Sequence, residues 1–213
     1  MIFFDLDDTV YPPNSGIWQA IGARMDRFLI DRLSIPMDSV AGLREKLFKE
    51  HGTTLRGLVT EYQINDQEFL DFVHDIPIHK FLSTNLLLKR TLELYPQRKI
   101  IFTNADTNHA NRVLKVLGIF DVFEQIIDIR SVRPYCKPMP EAFDLAFSLS
   151  GIKSTHHSVM IDDAHRNLVT ANNKGMFTIQ VGTNIRNPYV DAAIENLTDL
   201  PNVIPLSKTK EVR

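Results

Sequence analysis

The chain of 213 residues is long enough for one substantial α/β domain, or for a core domain carrying a small insertion. Its 24 basic and 26 acidic side chains leave a formal charge of −2, too balanced for the positive field that a nucleic-acid polymer or an anionic membrane attracts. No apolar run reaches the roughly 18 residues of a spanning helix, and the apolar N-terminus meets acids by residue 5, unlike a signal peptide.

Residues 2–6 read as a short buried strand that ends on an acid. Pro12-Pro13 halts it, and Asn14 or Ser15 is placed to cap a helix with Ile17, Trp18, Ile21, Met25, Phe28 and Leu29 at helical spacing. Asp38 or Ser39 is placed to cap a second helix with Val40, Leu43 and Leu47 on one face, and a third carries Leu55, Leu58, Val59 and Tyr62. Asn65, with Glu68 three residues on, resembles a capping box before Phe69, Leu70 and Val73. Residues 14 to about 80 thus read as all-helical, with Trp18, Phe28, Phe69 and Phe72 expected in the interior of that block.

From about residue 84 the pattern changes. A helix over 86–94 ends near Pro96, and a strand is expected at 99–103. A helix with Ala110, Val113, Leu114 and Leu117 on one face stops at Gly118. A weaker strand follows around 123–128. Pro138 or Pro140 starts a helix that bears Phe143, Ala146 and Phe147 and ends near Gly151. A strand at 158–162, a helix to Lys174 and a strand at 177–181 complete the series. Strands alternating with helices predict parallel βαβ units and a doubly wound sheet, with the helical block inserted after the first strand. The charged ending, Ser207 to Arg213, is expected to fray. A single cysteine, Cys136, builds no intramolecular disulfide, so a reducing, cytoplasmic setting is the expectation.

Three expected strands end alike: the first on Asp5, the second on Thr103-Asn104, the third on Asp162-Asp163. In an open parallel sheet, ligands bind beyond the carboxyl ends of the strands, so these residues meet at one edge. Asp5 and Asp7, two apart, face the same side while the chain stays extended. Carboxylates this close repel and call for a cation. With Asp162-Asp163 adding oxygens and no Cys/His cluster to suggest zinc, Mg²⁺ is favoured. Lys137 balances charge and is placed to hold a phosphate oxygen, as are the Thr103 hydroxyl and the amides of Asn104 and Ala105 at a loop leading into a helix. Such a site suits phosphoryl transfer: a carboxylate nucleophile splits hydrolysis into two steps through an acyl phosphate, and Asp7 is placed to protonate a leaving alcohol and then to activate water. Asn167 is a candidate support for the Asp162-Asp163 loop. Tyr11 and Pro12 are read as shaping a flap beside Asp5, and His109, His156 and His157 as loop or surface residues.

These motifs resemble those of the haloacid-dehalogenase superfamily: Asp5-Leu-Asp7-Asp8-Thr9-Val10-Tyr11-Pro12, then Phe102-Thr103-Asn104-Ala105, Lys137-Pro138 and Ile161-Asp162-Asp163, in the family's order. The resemblance implies a Rossmann-like α/β core over residues 1–13 and 84–213 with an inserted helical cap over 14–83. It implies Asp5 as nucleophile, Asp7 as acid and base, and Thr103, Asn104 and Lys137 as phosphate-binding residues. It assigns Mg²⁺ to the Asp5 carboxylate, the Asp7 backbone carbonyl, and Asp162 with Asp163 in direct or supporting contact. Within the superfamily the chain is similar to the pyrimidine 5′-nucleotidase branch, through Leu117-Gly-Ile-Phe-Asp121, Glu141-Ala-Phe143 and Leu197-Thr-Asp-Leu-Pro201. Ala164 departs from that branch, which often has a hydroxyl residue there. The implied substrate is a small phosphomonoester, foremost a nucleoside 5′-monophosphate. The alternatives are phosphoglycolate or a sugar phosphate, then a phosphomutase or a non-enzymatic phospho-acceptor module. Neither a nucleic-acid polymer nor a membrane is an expected partner, and the sequence leaves the oligomeric state open.

Overall fold

In the computed structural model, which describes residues 1–205, six parallel strands form one sheet in the order β3-β2-β1-β4-β5-β6. They are β1 (Ile2–Phe4), β2 (Lys99–Phe102), β3 (Gln125–Ile127), β4 (Val159–Asp162), β5 (Phe177–Val181) and β6 (Ala192–Ile194). This is the order of a doubly wound, Rossmann-like sheet, with its switch of direction between β1 and β4. The sequence reading did not include β6. Its Ala-Ala-Ile has no branched or aromatic run, and it is held as an edge strand on β5. The ending Ser207 to Arg213 lies outside the described residues.

Side chains alternate across the sheet and both faces are covered, as parallel strands require. Phe3, Ile100, Phe102 and Met160 meet Phe143 and Ala146 of α7 (Pro140–Ser150) and Leu168 and Ala171 of α8 (His165–Asn173). Phe4, Ile101 and Ile161 face the other way, toward Leu88 and Leu92 of α5 (Leu86–Glu93) and Ala110, Val113 and Leu114 of α6 (Thr107–Leu117). That second core continues without a break into the helices between β1 and α5.

Those helices are α1 (Ile17–Leu33), α2 (Met37–His51), α3 (Thr54–Tyr62) and α4 (Asp66–His74). α1 packs on α4 and α2 on α3. Phe28 is buried edge-on against Phe69 and Phe72, at centroid distances of 5.0 and 5.5 Å. Two helix starts differ from the expected caps. Gly16, in a left-handed conformation at φ 91°, takes the position before α1, and Ser15 only accepts a hydrogen bond from the Ile17 amide. α2 begins directly after Pro36, which leaves Asp38 in its first turn, where a carboxylate suits the helix dipole, rather than at the cap. Val59 and Tyr62 face solvent, while Leu55 and Leu58 are buried. Asn65 does cap α4, accepting from the Glu68 amide. α7 starts at Pro140, not Pro138.

The segment leaving α4 is gripped by the core: the Arg112 guanidinium donates to the carbonyls of His74, at 2.7 Å, and Ile76. No helix among the described residues is long and apolar enough to cross a membrane.

Candidate active site

β1 and β4 lie side by side, and the ladder runs on as the Asp5 amide donates to the Ile161 carbonyl at 2.8 Å. Asp5 and Asp162 therefore emerge together at the switch point of the sheet. Lys137, buried over the face of Phe102, sets its ammonium between them: Nζ is 2.6 Å from Asp5 Oδ1 and 2.8 Å from Asp162 Oδ2. Burial alone would lower the Lys137 ammonium, but Asp162 and Asp5 outweigh it and hold it above its ordinary value. Burial pushes the Asp5 carboxyl well up; Lys137 pulls it down, and Asp162 and Asp163 raise it again.

The two paired acids are not equivalent. Both Asp162 oxygens are occupied: Oδ1 accepts from the Ala164 amide and Asn167 Nδ2, and Oδ2 accepts from Asn167 Nδ2 and Lys137. Asp163 is partly open, its carboxylate approached among the described residues only by the Thr9 hydroxyl at 3.3 Å. Burial and the neighbouring Asp162 push its carboxyl up to about 6. Asp5, Asp162 and Asp163 bring carboxylate oxygens within 4.8 Å of one another. Three carboxylates against one lysine leave an excess of negative charge, and an all-oxygen set fits a hard divalent cation. A second acidic group, Glu50, His51 and Glu61, sits on the outer side of the helical block with Lys46 already paired to Glu61.

Beyond Leu6 the chain turns rather than staying extended, because the Leu6 carbonyl accepts the Val10 amide at 3.0 Å and Asp8 adopts a left-handed backbone. Asp7 nonetheless lines the same cavity as Asp5. Its Oδ1 accepts two bonds, from the Tyr11 hydroxyl and from His109 Nε2 at 2.8 Å. Burial would raise the Asp7 carboxyl, but the His109 ring and the Tyr11 hydroxyl hold it below its ordinary value. Tyr11 is thus a buried strut for Asp7 rather than a flap, its own ionisation suppressed by burial and by Asp7.

Thr103 is buried at the end of β2, and its Oγ accepts from the Ala105 amide at 2.9 Å. That bond occupies the Ala105 amide, which the sequence reading had offered to a ligand, and leaves the Thr103 O–H free to donate. The Asn104 side chain is bound to the main chain of Lys137, so only its backbone amide is left to face a ligand. Asp5, Asp7, Asp163, Thr103, Asn104 and Lys137 share a cavity of about 570 Å³ whose far wall is the helical block, while Asp162 is buried behind them. Trp18, expected inside that block, is half exposed and lines this cavity, as does Phe48, whose ring carries the Arg166 guanidinium at 4.0 Å.

His109, read from the sequence as a loop or surface residue, is fully buried on α6, while His156 and His157 are exposed. Spacing carried the signal that was missed: His109 precedes Val113 by four residues and so shares its apolar face. His74, at the end of α4, stacks on His109 with ring centroids 4.2 Å apart and pairs with Asp106 at 2.9 Å. Burial lowers the His74 imidazole.

Acids and a lysine gathered at the switch point of a parallel sheet mark the ligand site of a doubly wound α/β protein. The chain belongs to the haloacid dehalogenase-like hydrolases, whose family model matches residues 1–175. It is 30% identical over 190 residues to phosphate metabolism protein 8 of Saccharomyces cerevisiae, covering 83% of this chain and 59% of the yeast protein. The chain therefore spans less than two thirds of that relative. Among solved structures it is similar to the HAD phosphatase of Thermococcus onnurineus, with a TM-score of 0.67 at 18% identity, covering 98% of this chain and 99% of that one. It is also similar to the HAD-hydrolase YfnB of Bacillus subtilis bound to magnesium, with a TM-score of 0.61 at 20% identity, covering 95% and 96%. These structures share the fold.

Proposed function

We propose that the chain is a Mg²⁺-dependent phosphatase of small phosphomonoesters, foremost nucleoside 5′-monophosphates, with residues 14–83 acting as the cap over a core of 1–13 and 84–213. One observation carries this reading. The Asp5 carboxylate is bound by Lys137 through Oδ1, while among the described residues Oδ2 meets only a long 3.5 Å contact from Thr9, at the floor of a cavity that Asp7 also lines. Asp5 attacks phosphorus to form an acyl phosphate as the ester P–O bond breaks, and Asp7 gives the leaving alcohol its proton. Water then attacks phosphorus, Asp7 takes its proton, and the bond to Asp5 breaks to release inorganic phosphate. Asp7 is anionic in the free protein, which suits the second step. A phosphate dianion arriving beside it raises its proton affinity for the first.

Asp5, the Asp7 carbonyl, Asp163 and, in support, Asp162 would hold the ion, which supplies charge neutralisation between the anionic nucleophile and the phosphate. Thr103, the Asn104 amide and Lys137 hold phosphate oxygens. The magnesium-bound relative supports the choice of ion, and the half-exposed Trp18 and Phe48 on the cap side support a flat leaving group.

The test is phosphate release from UMP, CMP, purine monophosphates, phosphoglycolate and sugar phosphates, with Mg²⁺ and with EDTA, in wild type and Asp5→Asn. Mg²⁺-dependent release that Asp5→Asn abolishes supports the mechanism. Equal or better turnover of phosphoglycolate or a sugar phosphate would overturn the nucleotide assignment.

A further inference from the structure

Asp7 is held asymmetrically. Its two donors, the Tyr11 hydroxyl and His109 Nε2, both bond Oδ1, and no donor among the described residues reaches Oδ2, although Asp7 lines the cavity. One oxygen is thus an anchor and the other is presented. An ionised carboxylate only accepts, so the Nε2–H of His109 must donate. His109 Nδ1 is buried without a partner. That pattern fits a bare acceptor at Nδ1, because an orphaned N–H would be the costlier arrangement.

The His109 ring is itself fixed on several sides. Its amide donates to Asp106 Oδ1 at 3.1 Å, and that same oxygen meets His74 Nδ1 at 2.9 Å. The His74 ring then lies against it, 18° from parallel. Asp106 and His109 belong to the core helix α6 and its cap, whereas His74 closes α4 of the helical block. The orientation of the core acid is therefore buttressed by the inserted helices.

We propose that His109 is the positioning residue for Asp7, fixing Oδ1 so that Oδ2 points at the leaving-group oxygen, with His74 as its backing. This rests on the reading of Asp7 as the acid. A general acid matters most when the leaving group is a poor one, and kcat/KM reports only the steps up to acyl-phosphate formation. The experiment compares kcat/KM for 4-nitrophenyl phosphate, whose phenolate leaves unaided, with that for UMP or phosphoglycolate, whichever turns over faster. The variants are His109→Phe, His109→Gln and Asp7→Asn.

His109→Phe is expected to lose roughly tenfold or more on the alkyl ester beyond its loss on the aryl ester, well within the range of a positioned acid. His109→Gln, which keeps an N–H donor, is expected to recover much of that difference. Equal losses on both esters, or a Gln variant no better than Phe, would show that His109 only fills space and would overturn the proposal. Asp7→Asn separates the two ideas. If Asp7→Asn discriminates between the esters and His109→Phe does not, only the positioning role fails. If Asp7→Asn does not discriminate, the acid assignment fails and the proposal with it. Should His109→Phe not fold, ¹⁵N NMR of the wild-type imidazole decides: a proton on Nε2 is expected, and one on Nδ1 alone would overturn the proposal.

Discussion

The side chain of Asn104 and the main chain of Lys137 form a closed pair: Nδ2 donates to the Lys137 carbonyl and Oδ1 accepts from the Lys137 amide, each at 2.9 Å. The loop after β2 thereby sets the height at which the lysine enters the site, and its ammonium reaches both Asp5 and Asp162. Asn104→Ala leaves two main-chain groups unpaired. Its unfolding free energy in urea should fall by about 1–3 kcal/mol, and kcat should fall about tenfold or more as the lysine is misplaced. A stability loss with kcat unchanged would show the clasp to be scaffold alone.

Removing the lysine charge should be far more severe without metal than with it. Lys137→Met leaves Asp5 and Asp162, both buried, facing each other with no cation between them. Breaking a buried pair in this way costs about 3–5 kcal/mol, a fall in Tm of roughly 6–20 °C for a chain of this size. Mg²⁺ should restore more Tm to this variant than it adds to the wild type. Equal shifts in both would place the cation outside the carboxylate cluster.

The metal-free protein should lose stability as pH rises through about 6. Asp163, through burial and Asp162, and Asp8, through burial and Asp7, are pushed from an ordinary 3.8 to about 6. The folded chain binds these protons more tightly than the unfolded chain. The contribution is therefore complete below pH 3.8 and is lost as pH rises through about 6. Asp7, Asp106 and Asp128 are held low and act in the opposite sense only below 3.8. His74, lowered by burial, opposes the decline below 6.5 but stands against three raised carboxyls, since Asp5 is also pushed well up by burial. Thermal melts in EDTA should decline between pH 5 and 7, and saturating Mg²⁺ should flatten that decline. A profile in EDTA that rises with pH would contradict the assignment.

The parallel sheet and the meeting of Asp5, Thr103 and Asp162 were legible in the sequence because β1, β2 and β4 are apolar runs that stop on polar residues, whereas Lys137, in the loop before α7, was placed there only through the motif set as a whole. Order along the chain then fixes which ends can meet. What was not legible depends on packing between distant segments. His109 and His74 carry no spacing signal as a pair, since their stacking needs α4 of the inserted block to fold onto α6 of the core. Trp18 keeps the period of an apolar helix face, yet it lines the cavity instead of the core because the block closes over an open sheet edge there. Gly16 displaced the expected caps of α1 because its left-handed conformation is decided by how the chain turns out of the site.

Gly57 should resist the substitution that helices usually welcome. Replacing an exposed helical glycine by alanine stabilises by about 1 kcal/mol. Here a Cβ would lie 2.7 Å from Leu47 Cβ and 2.8 Å from its Cδ2, where α3 crosses α2. Gly57→Ala should therefore destabilise by about 1–3 kcal/mol, the usual cost of overpacking. Thr54 and Leu55 of α3 line the cavity, so KM should rise more than kcat falls. A variant as stable as the wild type would mean that the two helices separate without cost.

If the substrate is a nucleotide, Phe48 should discriminate by leaving group. Its ring is half exposed on the cavity wall, and the Arg166 guanidinium covers one face at 4.0 Å while also donating to the Gly52 carbonyl at 3.0 Å. With a cation over one face, the ring keeps its other face for a base, and stacking of a base on such a side chain is worth about 1–3 kcal/mol. Phe48→Leu keeps the apolar volume but removes the flat surface. Its KM for UMP should rise roughly fivefold or more, the low end of that range, with kcat little changed because Asp5, Asp7 and Lys137 are untouched. Phosphoglycolate has no ring to stack, so its KM should stay within about twofold of wild type. Parallel changes on both substrates would remove Phe48 from recognition and weaken the nucleotide assignment, leaving the chemistry at Asp5 as it stands.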